Sequence, residues 1–527
     1  MMITLMMFCT LCFSQEKEIF ANERFRFYPD RIESFDKHKG VYRSSDGLTI
    51  RKDGDYEPTW DRARTNKLYL QTPYPILDAT FFLAVDEALG VVAPAGTKSA
   101  MLEADKPGGR YYHPYFYFTH GKDIREYTRD TAQHIQWGDS VIIDRVAARG
   151  TMLRHCDFTH KRIREDAVVT ADSIHFIPAA WEYFKITGDM PFLSETWDCM
   201  WNEMAIKETQ QKKDDGLWAG SPWSDCKAGF ETPEHFRDRN THIKSLYANT
   251  MAAGAWRDLI EIGRVLGKTE QATIAEKKFS PLKAAINKIL FRPELGTYYY
   301  YKCDTDQSYS TRLEDISSGL IYLFGIADRD KALAYHDRFK PTAYGYRNVD
   351  PVLPSGEASY HGGNVWENQE VYHGWMLAKL DKSDDLRNFI FWHARAGLIL
   401  GEWREGTINP STGELHTNYK HLSWGSLGYT AYWTRGVFGI DYTLDGIHFD
   451  PCVPAGFGDT FFAVLNNFTY RDSSLRLVLR GCGNTVDRVL LDGKEITVVS
   501  PNLTGPHTVE VLMKSYRQTA IPKPITK

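Results

Sequence analysis

The stretch Pro75-Ile-Leu-Asp-Ala-Thr-Phe-Phe-Leu-Ala-Val-Asp-Glu-Ala-Leu-Gly90 opens on a proline, runs through apolar residues and stops at a glycine. That order predicts a helix over residues 75–90. Upstream, residues 20–72 are polar and turn-rich. There, Asp46-Gly47 and Asp53-Gly54 flank Leu48-Thr-Ile-Arg-Lys52, which reads as a hairpin strand in a short lead-in. Downstream, helical stretches recur at Asp166 to Thr187, Ser194 to Gln210, Thr241 to Gly267, Gln271 to Leu290, Asn368 to Lys379, Asp385 to Leu400 and Ser423 to Val437. Each is bounded by Gly, Pro, Asp or Asn, and together they make a mainly α pattern of helix pairs. The loops between them are long and rich in aromatic and charged residues, the usual carriers of function.

After about residue 440 the period changes to two. Residues 460–470, 475–479, 486–491 and 508–512 alternate and are separated by turn residues such as Asp492-Gly493. They predict a small antiparallel β-domain of sandwich type. The expected division is a signal peptide over 1–14, a lead-in with short strands over 15–72, a helical catalytic unit over 73–440 and a C-terminal β-domain over 441–527.

The leader Met1-Met-Ile-Thr-Leu-Met-Met-Phe-Cys-Thr-Leu-Cys-Phe-Ser14 is a short apolar run before charge, which predicts export to the periplasm or medium. No other segment is apolar and long enough to span a membrane. The 527 residues carry 63 Lys+Arg against 68 Asp+Glu, a net charge of −5 that offers no footprint for nucleic acid. Of the 8 Cys, the six beyond the leader are scattered without zinc spacing, so disulfides and buried thiols both remain open, and no metal or cofactor is expected. Aromatic residues reach 13%. They serve core packing or line a cleft in which sugar C–H faces stack on rings.

Cleavage of a glycosidic bond needs two carboxyl groups flanking it. Asp214-Asp-Gly-Leu-Trp-Ala-Gly-Ser-Pro-Trp-Ser-Asp225 places Asp225 beside Trp218 and Trp223 in a stretch too rich in Gly and Pro for a helix. A carboxyl desolvated by such neighbours suits a general acid, with Asp215 as the alternative and helix capping as the plain role. Gly401-Glu-Trp-Arg-Glu405-Gly-Thr-Ile-Asn-Pro-Ser-Thr-Gly413-Glu414 offers the base: Glu405 first, then Glu402 and Glu414. Arg129-Asp130 could clamp a terminal sugar or form a structural ion pair. His361-Gly-Gly-Asn-Val-Trp366-Glu367 leaves room for a ligand beside a stacking ring, although Glu367 would also suit the start of a helix.

At these residues the chain resembles the six-hairpin glycosidases, which include glucoamylases, trehalases, family 63 glucosidases and the glucosidase part of glycogen debranching enzyme. Tyr127-Thr-Arg-Asp-Thr131, Asp215-Gly-Leu-Trp…Trp223-Ser-Asp225, Gly363-Asn-Val-Trp366, Glu405…Asn409-Pro-Ser-Thr-Gly413…Ser423-Trp424 and Leu444-Asp-Gly-Ile-His-Phe-Asp-Pro451 follow one another as the superfamily's motifs do. Glu405 stands five residues before Pro410, one more than the family 63 pattern. The resemblance implies an (α/α)6 barrel and an inverting glycoside hydrolase, and the long aromatic loops point to a pocket and hence to exo action. In that reading Asp225 is the acid and Glu405 the base, while Arg129, Asp130, Trp218, Trp223, His361, Trp366, Glu367 and Trp424 hold the carbohydrate. A polysaccharide lyase using Tyr127, Tyr360 or His361, a phosphorylase, and a non-catalytic glycan-binding protein are the other classes compatible with the sequence.

Overall fold

A computed structural model describes residues 17–52, 67–93, 111–112, 128–164, 171–352, 360–403, 407–415 and 423–517. The leader 1–14, Tyr127 and Glu405 lie outside the described residues.

The chain is mainly helical. The helix Pro75–Gly90 has the bounds its sequence predicts, with Pro at its start. Residues 194–210, 368–379 and 385–400 fall in helices Met190–Gln211, Glu367–Lys379 and Ser383–Leu400. The stretch expected to be helical from Thr241 begins instead with the strand Ile243–Ser245, which pairs with Tyr301–Cys303. Ser245 then accepts the Ala248 N–H at 3.1 Å and caps the helix Leu246–Val265. Residues 286–290 and 432–437 continue their helices as π turns. The segment of Arg129 and Asp130, expected as a loop, is the first turn of the helix Thr128–Trp137. That helix is buried along its whole length, as is most of Asp315–Leu323.

Six helices touch in succession. Thr128–Trp137 packs on Phe176–Thr187, then come Leu246–Val265, Asp315–Leu323, Glu367–Lys379 and Ser423–Ala431, and the last returns to Thr128–Trp137. Further helices pack on these: Met190–Gln211 on Phe176–Thr187, Thr269–Ala285 on Leu246–Val265, Arg329–His336 on Asp315–Leu323 and Ser383–Leu400 on Glu367–Lys379.

The lead-in is more built than its polar composition suggests. Five antiparallel strands between Phe20 and Lys52 bury Phe20, Phe25, Phe27 and Ile32, with the Phe20 and Phe27 rings against Phe391 of the helix Ser383–Leu400. Asp36 and Arg395 form an ion pair with both side chains fully buried. Tyr69–Gln71 pairs with Phe462–Tyr470 and so joins the C-terminal sheet.

That sheet runs Lys494–Ile496, Val486–Leu491, Thr504–Met513, Asp472–Arg480, Phe462–Tyr470, Tyr69–Gln71. The antiparallel expectation is corrected at its centre, where Asp472–Arg480 and Thr504–Met513 pair in parallel. The last strand inserts between Asp472–Arg480 and Val486–Leu491, antiparallel to the latter. Alternation along a strand sets its faces and leaves its neighbours open. The one other sheet described beyond residue 439 is the hairpin Ile440–Tyr442 with Ile447–Phe449, so the expected sandwich takes the form of a single mixed sheet with a hairpin beside it.

No disulfide joins any of the six described cysteines. No helix among the described residues is long and apolar enough to cross a membrane.

Candidate active site

The helices that touch in succession present chemistry at their N-terminal ends. Arg129 and Asp130 lie in the first turn of Thr128–Trp137, and Asp172 stands just before the 3-10 turn Ser173–His175 that leads into Phe176–Thr187. Tyr247 is the second residue of its helix, Glu314 immediately precedes the next, Glu367 begins another, and Trp424 is the second residue of Ser423–Ala431. Helix N-termini carry partial positive charge and unpaired N–H groups, which makes this end hospitable to acids.

Arg129 is the hub. Its Nη1 lies 3.4 Å from Asp172 Oδ1 and 3.6 Å from Asp225 Oδ2, and its Nε is 3.7 Å from Asp130 Oδ1. The guanidinium sits over the Trp223 ring at 4.8 Å. Burial opposes its charge, and the carboxylates of Asp172, Asp225 and Asp130 more than offset that, holding Arg129 firmly cationic. Three acids share one cation, however. Burial pushes Asp172 up to about 7, partly offset by Arg129 and reinforced by Asp225 and Asp130. The Asp225 side chain is 21% exposed, against 7% for Asp130 and 1% for Asp172, so it is the most accessible of these acids.

His361 Nδ1 lies 3.5 Å from Asp225 Oδ1, and its ring stacks on Trp223 with centroids 5.2 Å apart. Burial, with help from Arg129, pushes His361 down to about 4 despite Asp225, so the ring is neutral at neutral pH. Trp366 meets Trp223 and His361 edge-on and stacks near Trp424 at 6.0 Å. Glu367 is buried, and burial pushes its carboxyl up to about 8, with Arg395 opposing. The structure therefore brings Arg129, Asp130, Asp225, Trp223, His361, Trp366 and Trp424 together, with Glu367 following Trp366 in the chain.

Trp218 goes elsewhere. Its indole N–H donates to Glu208 at 3.1 Å, on the helix Met190–Gln211. Asp215 accepts the Leu217 N–H and is held by Lys244 at 2.7 Å and Lys302 at 3.5 Å. The loop is thus divided: its first half is anchored to the scaffold and its second half carries Trp223 and Asp225 inward.

Three side chains, from Glu314, Asn348 and Tyr300, hold that second half. Ser224 N–H donates to Glu314 Oε1 at 3.3 Å, and Asn348 Nδ2 donates to both Ser224 Oγ at 3.2 Å and the His361 carbonyl at 2.8 Å. The Tyr300 hydroxyl donates to the Gly229 carbonyl at 3.1 Å. At Gly229 a Cβ would stand 1.9 Å from the Ser224 carbonyl oxygen, so only glycine lets the loop close here.

On the base side, Glu402 is buried near Glu87, which accepts the Trp403 N–H at 2.9 Å and is pushed well above the usual carboxylate range, first by burial and then by Glu402 and Glu367. Glu414 is half-exposed and paired with Lys37 at the surface. Thr407–Ile408 pairs with Val365–Trp366, so the described residues after Glu405 are bound to the segment that carries Trp366.

Sequence reasoning missed Asp172, Glu314, Asn348 and Glu87. All four are buried, and only folding reveals which polar residues leave the surface. The donor atoms of Asp225, Cys226 and His361 lie within 4.8 Å of one another, close enough for a metal, but Arg129 already places a positive charge against the same carboxylate.

No protein-family model and no curated protein matches the chain. Among solved structures it is similar to a sialidase, with a TM-score of 0.62 at 14% identity over 84% of this chain. It is also similar to a GH78 family rhamnosidase of Bacillus sp. GL1, with a TM-score of 0.54 at 13% identity over 88% of this chain. The chain spans 42% and 46% of those two chains, less than half of each. At such identities the likeness is one of fold: the chain folds as part of these glycosidases does.

Proposed function

We propose that the chain is a glycoside hydrolase whose acid is Asp225. The observation that carries this reading is the setting of Asp225, the most exposed of three acids around Arg129, walled by Trp223, His361 and Trp366. Rings and charged hydroxyl-binding groups converging on an accessible carboxyl suit a sugar with a bond to be protonated. In this reading Arg129 and Asp130 hold hydroxyls, and Trp366 and Trp424 line the sugar site. Glu405 activates water, with Glu402 as its rival. Inversion then requires the two carboxyls to stand about 6.5–9.5 Å apart. The succession of helices supports an (α/α)6 barrel over 73–440 followed by a β-domain over 441–527, and the apolar leader supports export. Exo action, read from the long aromatic loops, belongs to the same proposal.

The test is a reducing-sugar screen on glycans and aryl glycosides with the parent, Asp225→Asn and Glu405→Gln. Release by the parent that falls about 10²–10⁴-fold in each variant supports the reading. Release that survives Asp225→Asn overturns the assignment of the acid. Appearance of an unsaturated, ultraviolet-absorbing product identifies a lyase, dependence on phosphate identifies a phosphorylase, and binding without turnover identifies a glycan-binding protein.

A further inference from the structure

A second cluster lies apart from the Arg129 group. Cys303 ends the strand Tyr301–Cys303, Asp306 stands in the turn before Tyr309–Ser310, and His235 comes from the short helix Pro233–Arg237. One potential ligand atom from each of the three lies within 4.8 Å of the other two. His235 and Cys303 are buried and Asp306 is exposed, so the cluster opens to solvent on its carboxylate side.

Its members are oriented toward one another. The Tyr301 hydroxyl accepts the Glu231 N–H at 2.9 Å and lies 3.0 Å from His235 Nδ1. With Nδ1 fixed in this way, Nε2 is aimed at Asp306 Oδ2, 3.0 Å away. A histidine held through one ring nitrogen with the other facing a thiol and a carboxylate has the arrangement of a metal ligand. The main-chain N–H groups of Thr305 and Asp306 also face the Cys303 sulfur. Asp306 Oδ1 accepts the Ser308 N–H at 3.0 Å, which holds the carboxylate in place.

We propose that His235, Cys303 and Asp306 bind one divalent ion of the zinc class, with water as the fourth ligand. Thiolate, imidazole and carboxylate together match borderline-soft Zn²⁺ rather than Mg²⁺ or Ca²⁺, which take oxygen ligands. The ion would clip the segment that follows Asp225 onto the hairpin Tyr301–Ser310. Beneath the clip lies a small separate core of Phe230, Ile243, Tyr300, Tyr301, Cys303 and Val349. A bond there restrains the loop that carries Asp225 without touching the candidate active site. The sequence hides this site because the two helices Leu246–Val265 and Thr269–Ala285 separate His235 from Cys303 and Asp306, leaving no zinc-type spacing.

The test uses the full chain, stripped with a chelator and titrated with Zn²⁺ and with Co²⁺. Metal per chain, the thiolate-to-cobalt charge-transfer absorption and the melting temperature are read out. The expected result is one ion per chain, a thiolate band and a higher melting temperature in the parent. All three should disappear in Cys303→Ala and His235→Ala and persist in Cys226→Ala. Asp306 is exposed, so Asp306→Asn should keep the fold while weakening binding by at least the roughly 10–100-fold that loss of a supporting group costs. Absence of stoichiometric binding in the parent overturns the proposal. So does binding that survives Cys303→Ala and His235→Ala, or that follows Cys226 instead, which would place the ion beside Asp225.

Discussion

Arg129 Nη1 stands 3.6 Å from Asp225 Oδ2, joining the first turn of a buried helix to the end of a Trp-rich loop. Because Asp130 and Asp172 crowd the same guanidinium, the two partners are not equivalent. Asp225→Asn removes one of the acids competing for this guanidinium and should leave the melting temperature unchanged or higher while turnover collapses. Arg129→Met strands the acids and should lower both. Thermal melts beside initial rates check this. A stability loss in Asp225→Asn as large as that in Arg129→Met would contradict the charge imbalance described above.

The buried pair of Asp36 and Arg395 makes the N-terminal strands part of the fold. Arg395 also donates to the Gly413 carbonyl and lies over Tyr344 at 4.5 Å. Asp36→Ala leaves a buried guanidinium without its carboxylate and should cost about 3–5 kcal/mol in urea unfolding. The double replacement Asp36→Leu with Arg395→Met should cost less, because no charge is then stranded. Equal losses would show that the pair acts through its shape and not its charge.

Stability should fall as pH rises from about 6.5 to about 8. Burial pushes Asp139 and Asp172 up to about 7, Glu314 to about 7 and Glu367 to about 8. These carboxyls keep protons when folded that the unfolded chain releases above about pH 4, so their contribution is lost as pH rises through the folded values. His134, His361 and His393 are pushed down by burial to about 3, 4 and 3, so they remain neutral when folded. They oppose the carboxyls only below about pH 6.5, where unfolded histidine takes up a proton. Melting temperatures at pH 6.5 and pH 8 measure the difference, and Glu367→Gln should reduce it. A rise across this window would contradict the burial of these acids.

Gly319 marks the closest approach of the helices Asp315–Leu323 and Glu367–Lys379. A Cβ there would stand 2.2 Å from the Tyr372 carbonyl oxygen and 2.7 Å from the His373 nitrogen. Gly319→Ala should therefore destabilise by at least the roughly 1–3 kcal/mol typical of overpacking, although alanine is the better helix former. Chemical denaturation checks the sign, and a neutral or stabilising result would show that the two helices can separate without cost.

The sequence by itself determined the helix Pro75–Gly90, most of the later helix bounds and the change to strands after residue 440, because proline, glycine and apolar period act locally. It also singled out the stretches bearing Arg129, Trp223, Asp225, His361 and Trp366, since unusual aromatic and glycine density is visible in one dimension. Only the tertiary structure decided that Trp218 and Asp215 face the scaffold while Trp223 and Asp225 face Arg129. It alone supplied Asp172, Glu314 and Asn348 and placed Thr504–Met513 parallel to Asp472–Arg480. The physical reason is range. Caps and periods are set by residues a few positions apart, whereas burial, ion pairing and strand neighbours depend on segments that meet only once the chain has folded.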